Sequence, residues 1–214
     1  MLAAGVPPDM QGNILDLGCG VGGAGLSCLW RLPDCRLTGV DFVPEYIGLA
    51  HKNASINNVS ERCRFVCDDI IHYTKSLEKP IFDCVICNPP FYDQGAYVHS
   101  PTPEKDMALG QTRDIESWIK AVLYSLKNGG VFCLVHRADM LDRILALLDK
   151  RFGATDIVPL WPREGAKAKR IVVRAIKGRR SPCTVHQGLT LHDAQGQYTE
   201  AANRILRDGQ TLID

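Results

Sequence analysis

The stretch "NILDLGCGVGGAGLSCLWRL", residues 13 to 32, joins an apolar run to a glycine-rich turn and then to a segment with helical spacing. An apolar run of this length, stopped by glycine, is typical of a buried strand. Glycines in such a turn let the backbone approach a ligand closely. We therefore predict a strand, a tight turn and a helix, in that order.

The rest of the chain repeats this alternation. Further strands are predicted at 35–42, 62–69, 81–87 and 130–136, and helices from residue 44, over 115–127 and over 140–152. Two strand-like runs, 154–161 and 169–176, then follow each other with no helix between them. Alternating strands and helices predict a doubly wound α/β sheet that is mostly parallel. The final pair adds an antiparallel edge hairpin, so we expect seven strands in a single domain spanning 1–214.

Composition sets limits on function. The 214 residues carry 25 Lys and Arg against 24 Asp and Glu, so overall charge indicates neither a nucleic-acid nor a membrane partner. No apolar run approaches the ~20 residues of a membrane span. Nine cysteines lie mostly in apolar stretches, which favours reduced thiols and a cytoplasmic location. Cys84 and Cys87 would face opposite sides of a strand, so we predict no metal site.

The glycine turn predicts a ligand site. Open α/β sheets bind ligands outside the carboxyl ends of their strands. Gly18, Gly20 and Gly23 fit the dinucleotide-binding pattern, which is weak evidence on its own, and a plain tight turn remains the alternative. Asp41, at the end of the second strand, is placed to accept hydrogen bonds from ribose hydroxyls. Asp16 could receive a cationic amino group or orient the turn, which favours a ligand other than NAD.

A second stretch, "DCVICNPPFYD" (residues 83 to 93), ends a strand abruptly at Asn88. Pro89 and Pro90 cannot continue a central strand, because each lacks a donor for the ladder. The turn therefore offers a carboxamide, two bare carbonyls and an aromatic ring to a ligand. The alternative is a simple strand exit with a capping asparagine.

The order of these motifs carries a resemblance. "LDLGCGVGGAGL", Asp41, "CDDI" and "NPPF" resemble class I S-adenosylmethionine-dependent methyltransferases that modify amino groups. "VHRADMLDRILALL", "AKRIVVRAIKG" and "LTLHDAQGQYTEAANRIL" resemble the bacterial tRNA N6-adenine methyltransferases that act on the anticodon loop of a valine tRNA. The similarity spans nearly the whole chain, and "QYTEAANRIL" is its most family-specific part. Members of that family have a further segment before the equivalent of Met1, so we expect it to be missing here.

The resemblance implies a Rossmann-like methyltransferase fold, S-adenosyl-L-methionine as cofactor and tRNA as partner. It places the cofactor against Asp16, Gly18, Cys19, Gly20, Gly22, Asp41, Phe42, Asp68, Asp69 and Asn88. It places catalysis at Asn88, Pro89, Pro90 and Phe91. There the Asn88 side-chain oxygen and the Pro89 carbonyl could each accept one N–H from an exocyclic aromatic amine, and Phe91, helped by Tyr92, could stack on the base that carries it. One of Asp68 and Asp69 would bind the cofactor's adenine amine. The resemblance favours Asp69, and a solvated or helix-capping role then fits Asp68.

Residues 161–180 concentrate eight basic side chains against one acid. Lys167, Lys169, Arg170 and Arg174 could contact phosphates of a nucleic acid, with Tyr92 as a further substrate contact. A solvated edge hairpin protected by lysines is nearly as good an interpretation.

The sequence thus predicts an N6-adenine methyltransferase, most readily on tRNA. Guanine-N2 rRNA, DNA adenine and release-factor glutamine methyltransferases also present an sp² NH₂ group to the same acceptors. Phe91 in place of tyrosine weighs against the glutamine enzymes, and the lack of a recognisable target-recognition domain weighs against DNA. A catalytically idle binding module with the same fold is the alternative outside the enzymes.

Overall fold

The computed structural model describes residues 1–90 and 114–213, so the predictions for Phe91 and Tyr92 lie outside the described residues. The strands are β1 Gly12–Leu17, β2 Cys35–Asp41, β3 Cys63–Cys67, β4 Phe82–Cys87, β5 Leu126–Arg137, β6 Phe152–Trp161, β7 Arg170–Lys177, β8 Thr184–Val185 and β9 Leu189–Thr190. The α-helices are α1 Gly23–Arg31, α2 Pro44–Ile56, α3 Ile70–Lys75, α4 Ile115–Ser125, α5 Leu141–Leu148 and α6 Glu200–Arg207. All nine cysteines are free thiols.

The strands form one sheet in the order β3-β2-β1-β4-β5-β7-β6, with β8 and β9 both paired to β6. Strands β1 to β5 pair in parallel, and β7 is antiparallel to both β5 and β6. The predicted doubly wound, mostly parallel sheet with an antiparallel hairpin is confirmed. The predicted number of strands is wrong, since the described residues form nine. The two extra strands have two residues each, which is too short for a periodic pattern.

Helices cover both faces of the sheet, as the alternation requires. One core lies under α3, α4 and α5 and contains Trp118, Phe132 and Leu134. The other lies under α1 and α2 and contains Ile14 and Leu37. Helix α6 packs Ala202 beside buried residues of β6, β7 and β9. Since both faces are buried, the central strands consist of nearly continuous apolar runs.

Two local predictions need correction. The helix predicted over 115–127 is shorter, since α4 ends at Ser125 and the residues that follow, including Asn128, Gly129 and Gly130, belong to β5. The ladder between β4 and β5 shifts register there, which an extra stretch of chain on β5 accounts for. Helix α6 was not predicted at all. Its eight residues are too few for the repeated apolar spacing by which a sequence indicates a helix.

The topology brings several loops to one edge of the sheet. Strand β6 is antiparallel to β7, which is antiparallel to β5, so the carboxyl end of β6 lies at the same edge as those of β1 to β5. The loop at 162–169, between β6 and β7, therefore lies at this edge, which we call the carboxyl edge. Within residues 1–90 and 114–213, no helix is long and apolar enough to cross a membrane.

Candidate active site

The glycine turn after β1 is tied to the end of β2. The N–H groups of Gly18 and Cys19 donate to the Val40 carbonyl at 2.8 and 3.0 Å. Asp41 accepts from Gly20 N at 2.8 Å through Oδ2 and from Val43 N at 3.1 Å through Oδ1. These bonds fix the turn before any ligand is present. The Asp41 carboxylate has further lone pairs with which to accept from ribose hydroxyls.

Only glycine fits at position 18. Its φ is +66°, and an added Cβ would lie 2.6 Å from the ring of Trp118 in α4. The backbone therefore turns directly above a buried aromatic ring. Trp118 is a neighbour of the turn that sequence analysis missed. Its apolar position on α4 marked it only as a core residue.

Asp16 orients the helix after the turn. Its side chain is 2% exposed, and Oδ2 accepts from Gly25 N at 2.9 Å. Burial, and to a smaller extent the nearby Asp41 carboxylate, raises the pKa of this carboxyl to about 7, although the hydrogen bond from Gly25 N lowers it. Of the two sequence-based hypotheses for Asp16, the geometry shows the orienting role. A cation bound near Asp16 would lower this pKa and so favour the ionised carboxylate.

Two acidic side chains, Asp16 and Asp41, lie behind the turn and affect which ligand it suits. A dinucleotide places its pyrophosphate on the amides of the helix N-terminus. Here the Asp16 carboxylate already accepts from the Gly25 amide, and Asp41, 8% exposed, accepts from Gly20. Two acids at this point repel a pyrophosphate and attract a cation. Burial and these two acids also raise the pKa of the Cys19 thiol, so Cys19 stays protonated.

Asp68 and Asp69 follow β3 and have different partners. Asp69 caps α3, since its Oδ1 accepts from Ile71 N and His72 N, both at 3.0 Å. Asp68 lies 2.9 Å from His72 Nδ1 and also accepts from Asp69 N at 2.7 Å. The helix-capping acid is thus Asp69, so of the two roles expected for Asp68, solvated or helix-capping, the capping role belongs to Asp69 instead. A role of Asp69 toward adenine must coexist with the cap.

Asn88 lies directly beside the glycine turn. Leu17 of β1 pairs with Cys87 of β4, so the residues that follow them, Gly18 and Asn88, leave the sheet side by side. Parallel neighbours lie ~4.8 Å apart. Asn88 is exposed, whereas Pro89 behind it is buried. The carboxamide therefore faces outward on a stiff, anchored turn.

The predicted cofactor residues form a row along the carboxyl edge. Val40 pairs with Leu17, and Asp41 pairs with Cys67, which places Phe42 next to Asp68. The row runs from the two acids after β3, through Asp41 and Phe42, to the glycine turn and then to Asn88. Its three strand spacings cover ~14 Å. A nucleoside joined to an amino acid can extend along such a row, with its reactive end next to Asn88.

The basic loop at 162–169 lies farther along the same edge. Lys167 and Lys169 are exposed, and Arg170 is half-buried at the start of β7, opposite Arg137 at the end of β5. Arg174 points elsewhere, because it pairs with Asp156 at 2.8 Å. Arg174 is therefore a structural residue. The edge-protection interpretation does not fit β7, because β7 lies between β5 and β6.

The predicted site residues thus gather at one edge, except for Arg174, which pairs with Asp156, and for Phe91 and Tyr92, which the structure does not describe. Among residues 1–90 and 114–213, no group of three or more His, Cys, Asp or Glu side chains is arranged to hold a metal ion.

Comparisons with known proteins agree with this geometry. Residues 1–159 match the methyltransferase small domain family. The tRNA1(Val) (adenine(37)-N6)-methyltransferase of Mannheimia succiniciproducens is 29% identical over 93% of this chain and 81% of its own length. The release factor glutamine methyltransferase of Chlorobaculum tepidum is 27% identical over 74% of this chain and 56% of its own. A crystal structure of a predicted O-methyltransferase from Agrobacterium tumefaciens is 26% identical, covers 98% of this chain and 95% of its own, and has a TM-score of 0.77.

The resemblance inferred from the glycine turn and the Asn-Pro-Pro-Phe motif is confirmed by these matches. The motifs and the matches both indicate a methyl-transferring enzyme with this fold. The family match covers the whole row from the acids after β3 to Asn88. The chain belongs to the methyltransferase small domain family and is a class I S-adenosylmethionine-dependent methyltransferase.

Proposed function

We propose that the protein methylates N6 of an adenine in tRNA. The observation that carries the proposal is the placement of Asn88, exposed on a proline-stiffened turn and immediately beside the glycine turn. An amine held by Asn88 would lie next to the reactive end of a cofactor on the row. The similarity to a tRNA1(Val) adenine-N6 methyltransferase over 93% of the chain supports adenine as the base and tRNA as the carrier.

The residues of the row fit S-adenosylmethionine. Asp41 would accept from its ribose hydroxyls, and Phe42 would lie beside the adenine. One of Asp68 and Asp69 would accept from the adenine amine. Gly18, Cys19, Gly20 and Gly22 would line the methionine part, and Asp16 would lie behind its positive charges. This fit rests on the two buried acids, since a cationic ligand relieves the electrostatic cost of ionising Asp16 beside Asp41.

The chemistry then depends on how the target amine is held. The lone pair of an aromatic amine is delocalised into the ring, so the amine is a poor nucleophile. The Asn88 side-chain oxygen and the Pro89 carbonyl would each accept one of its N–H groups, so that the nitrogen approaches sp³ geometry and its lone pair is localised toward the methyl group. After transfer the methylated nitrogen would lose one of its two protons to solvent. When bound, S-adenosylmethionine supplies a methyl group on a sulfonium, an electrophile with a neutral leaving group. The protein's contribution is mainly alignment and hydrogen bonding.

The base must leave its stack to reach Asn88. Enzymes that act on a base extrude it and hold it by stacking and hydrogen bonds. Phe91 and Tyr92, which follow the two prolines in sequence, have the ring chemistry for that stacking, and Pro90 stiffens the chain before them. Lys167, Lys169 and Arg170 would contact the phosphates on either side.

Glutamine of a release factor is the second candidate, because a glutamine side chain presents the same NH₂ group. The similarity to a release factor glutamine methyltransferase supports it. The basic loop at the carboxyl edge favours RNA, since two exposed lysines there suit phosphates better than a peptide. Guanine-N2 in rRNA and adenine in DNA would use the same acceptors. We also propose that 1–214 is one domain, because β8, β9 and α6 pack on β6 and β7.

A methyl-transfer assay tests the proposal. Purified protein is incubated with isotope-labelled S-adenosylmethionine and, separately, with total tRNA, rRNA, DNA and release factor, and the modified residue is identified by mass spectrometry. We expect label in tRNA as N6-methyladenosine. Label in protein as methylglutamine would replace the proposal by the second candidate. Cofactor binding without transfer to any of the four would indicate the idle binding module.

A further inference from the structure

A short hairpin between β9 and α6, at residues 191–199, has a rigid construction. Asp193 N donates to the Gln197 carbonyl at 2.9 Å, and the Asp193 carboxylate accepts from Gln195 N and Gln197 N, both at 2.9 Å. Thr199 closes the hairpin, since its N–H donates to the Leu191 carbonyl at 2.9 Å. This segment lies within "LTLHDAQGQYTEAANRIL", to which the proposed methyl-transfer chemistry assigns no role.

The hairpin presents one aromatic ring to solvent. Tyr198 is 48% exposed and stacks on His192, with ring centroids 4.8 Å apart and planes 24° from parallel. The Tyr198 carbonyl accepts from Asn203 Nδ2 at 3.2 Å. The Thr199 hydroxyl accepts from Ala202 N at 3.1 Å and so caps α6. The backbone is therefore fixed on both sides of an exposed ring.

The same hairpin is joined to the basic loop. Leu191 N donates to the Trp161 carbonyl at 2.8 Å, and His192 N donates to the Pro162 carbonyl at 3.2 Å. Pro162 is the first residue of the loop that carries Lys167 and Lys169. Tyr198 and the basic loop thus extend from adjacent strands at the carboxyl edge. We call Tyr198, His192 and residues 162–170 the outer surface.

We propose that the outer surface binds an unpaired nucleotide of the RNA substrate, with Tyr198 stacking on its base and the basic loop contacting its phosphates. The proposal rests on the proposed function and names a second contact with the same substrate. An exposed ring beside exposed cations is the arrangement with which proteins bind single-stranded nucleic acid. A duplex offers its phosphates to the loop but no free base to Tyr198.

The geometry distinguishes this contact from the target base. Strand β4, which carries Asn88, and strand β6, which precedes the basic loop, are three places apart in the sheet, or ~14 Å. One base cannot reach both. The base on Tyr198 is therefore a different one from the methylated base, and its capture would help to hold the RNA loop open while the target is extruded.

Binding experiments with three variants test the inference. Tyr198→Ala removes the ring, Tyr198→Leu keeps apolar volume without a ring, and Tyr198→Phe keeps the ring. The matched control is Tyr124→Ala, because Tyr124 is 44% exposed but lies at the last turn of α4, away from the carboxyl edge. Affinity is measured by fluorescence anisotropy for a short RNA stem-loop with an unpaired loop, and for the same strand annealed to its complement.

We expect Tyr198→Ala and Tyr198→Leu to bind the stem-loop about 5- to 150-fold more weakly, which corresponds to ~1–3 kcal/mol for one stacked base. Binding of the annealed duplex and of S-adenosylmethionine should not change, and Tyr198→Phe and Tyr124→Ala should match the wild type. Wild-type stem-loop affinity in Tyr198→Ala, or an equal loss for the duplex, overturns the inference.

The outcomes separate the inference from the proposed function. If the wild type methylates tRNA and Tyr198→Ala does so with unchanged KM, the inference alone fails. If the wild type binds the stem-loop through Tyr198 but transfers no methyl group to RNA, the proposed function alone fails. If the wild type does not bind the stem-loop at all, the inference is wrong whatever its catalytic activity.

Discussion

The two halves of the carboxyl edge are built in different ways. At the ends of β1 and β2, the polar groups are backbone amides and two buried carboxylates, Asp16 and Asp41, which already accept hydrogen bonds from backbone amides nearby. At the ends of β6 and β9, they are exposed side chains on loops, such as Lys167 and Tyr198. The first half suits a small cationic ligand of fixed shape. The second suits a large polyanion that binds from solvent, with an affinity that depends on salt.

Asn88 lies at the boundary of the two halves, and changing it should have the largest effect. In Asn88→Ala we expect turnover to fall by about 10²–10³-fold, because one positioned transition-state hydrogen bond is lost. Folding should be retained, since Asn88 is exposed. Single-turnover kinetics at saturating RNA measure this loss.

Cofactor affinity by calorimetry provides the control for this variant, since most of the cofactor row lies on β1 to β3. We expect little change. Turnover near the wild-type value would mean that the Asn-Pro-Pro turn is only a strand exit, and the division of labour along the edge would then be wrong.

The next largest effect should come from Asp41. Asp41→Ala removes the acceptor for Gly20 N and Val43 N together with any bond to ribose. We expect S-adenosylmethionine affinity to fall by about 10- to 150-fold, or ~1.5–3 kcal/mol for bonds to a charged group. Asp41→Asn, which keeps one acceptor oxygen, should lose less. RNA affinity should be unchanged in both, and a large loss of RNA binding would contradict the separation of the two halves.

Neutralising the basic loop tests the half of the carboxyl edge that is proposed to bind RNA. In the double variant Lys167→Gln and Lys169→Gln, the slope of log affinity for RNA against log salt should flatten by about 1.5 to 2 units. Arg174→Gln is the matched control, because Arg174 already pairs with Asp156. It should lower stability and leave the slope unchanged. An equal effect on the slope from both variants would show that the loop has no special role.

The smallest effect concerns the pH dependence of Asp16. Its pKa in the folded protein, about 7, lies above the ordinary value of 3.8, so the folded state holds a proton that the unfolded state releases. The stability that this proton confers is complete below the unfolded pKa and is lost as pH rises through the folded one. Asp16→Asn imitates the neutral carboxyl and cannot ionise. Relative to this variant, the wild type should lose a few degrees in Tm between about pH 5 and about pH 7.5.

Thermal unfolding of both proteins over this range measures the difference. A gap between wild type and Asp16→Asn that stays constant with pH would show that Asp16 does not titrate there. Bound S-adenosylmethionine should reduce the decline, because its positive charges favour the ionised carboxylate.

Those features that depend on local sequence pattern were predicted correctly from the sequence. Apolar runs ended by Gly18, Asp41 and Asn88 marked the strand ends, and parallel topology then placed those ends at one edge. The insertion of β7 between β5 and β6 could not be predicted, because a hairpin pattern does not say which of its strands pairs inward. The choice between Asp68 and Asp69 as helix cap also depended on backbone geometry that a pair of identical residues does not reveal.

The central place of β7 has a consequence for how the protein is made. The family match ends at residue 159, but the strand that covers the outer edge of β5 is completed only at Lys177. While the chain is being synthesised, the backbone groups of β5 that face β7 stay unpaired until the ribosome has released β7. Open edges of this kind pair with other chains. A fragment cut at the family boundary would therefore be expected to aggregate, although it contains every residue of the row from Asp68 to Asn88.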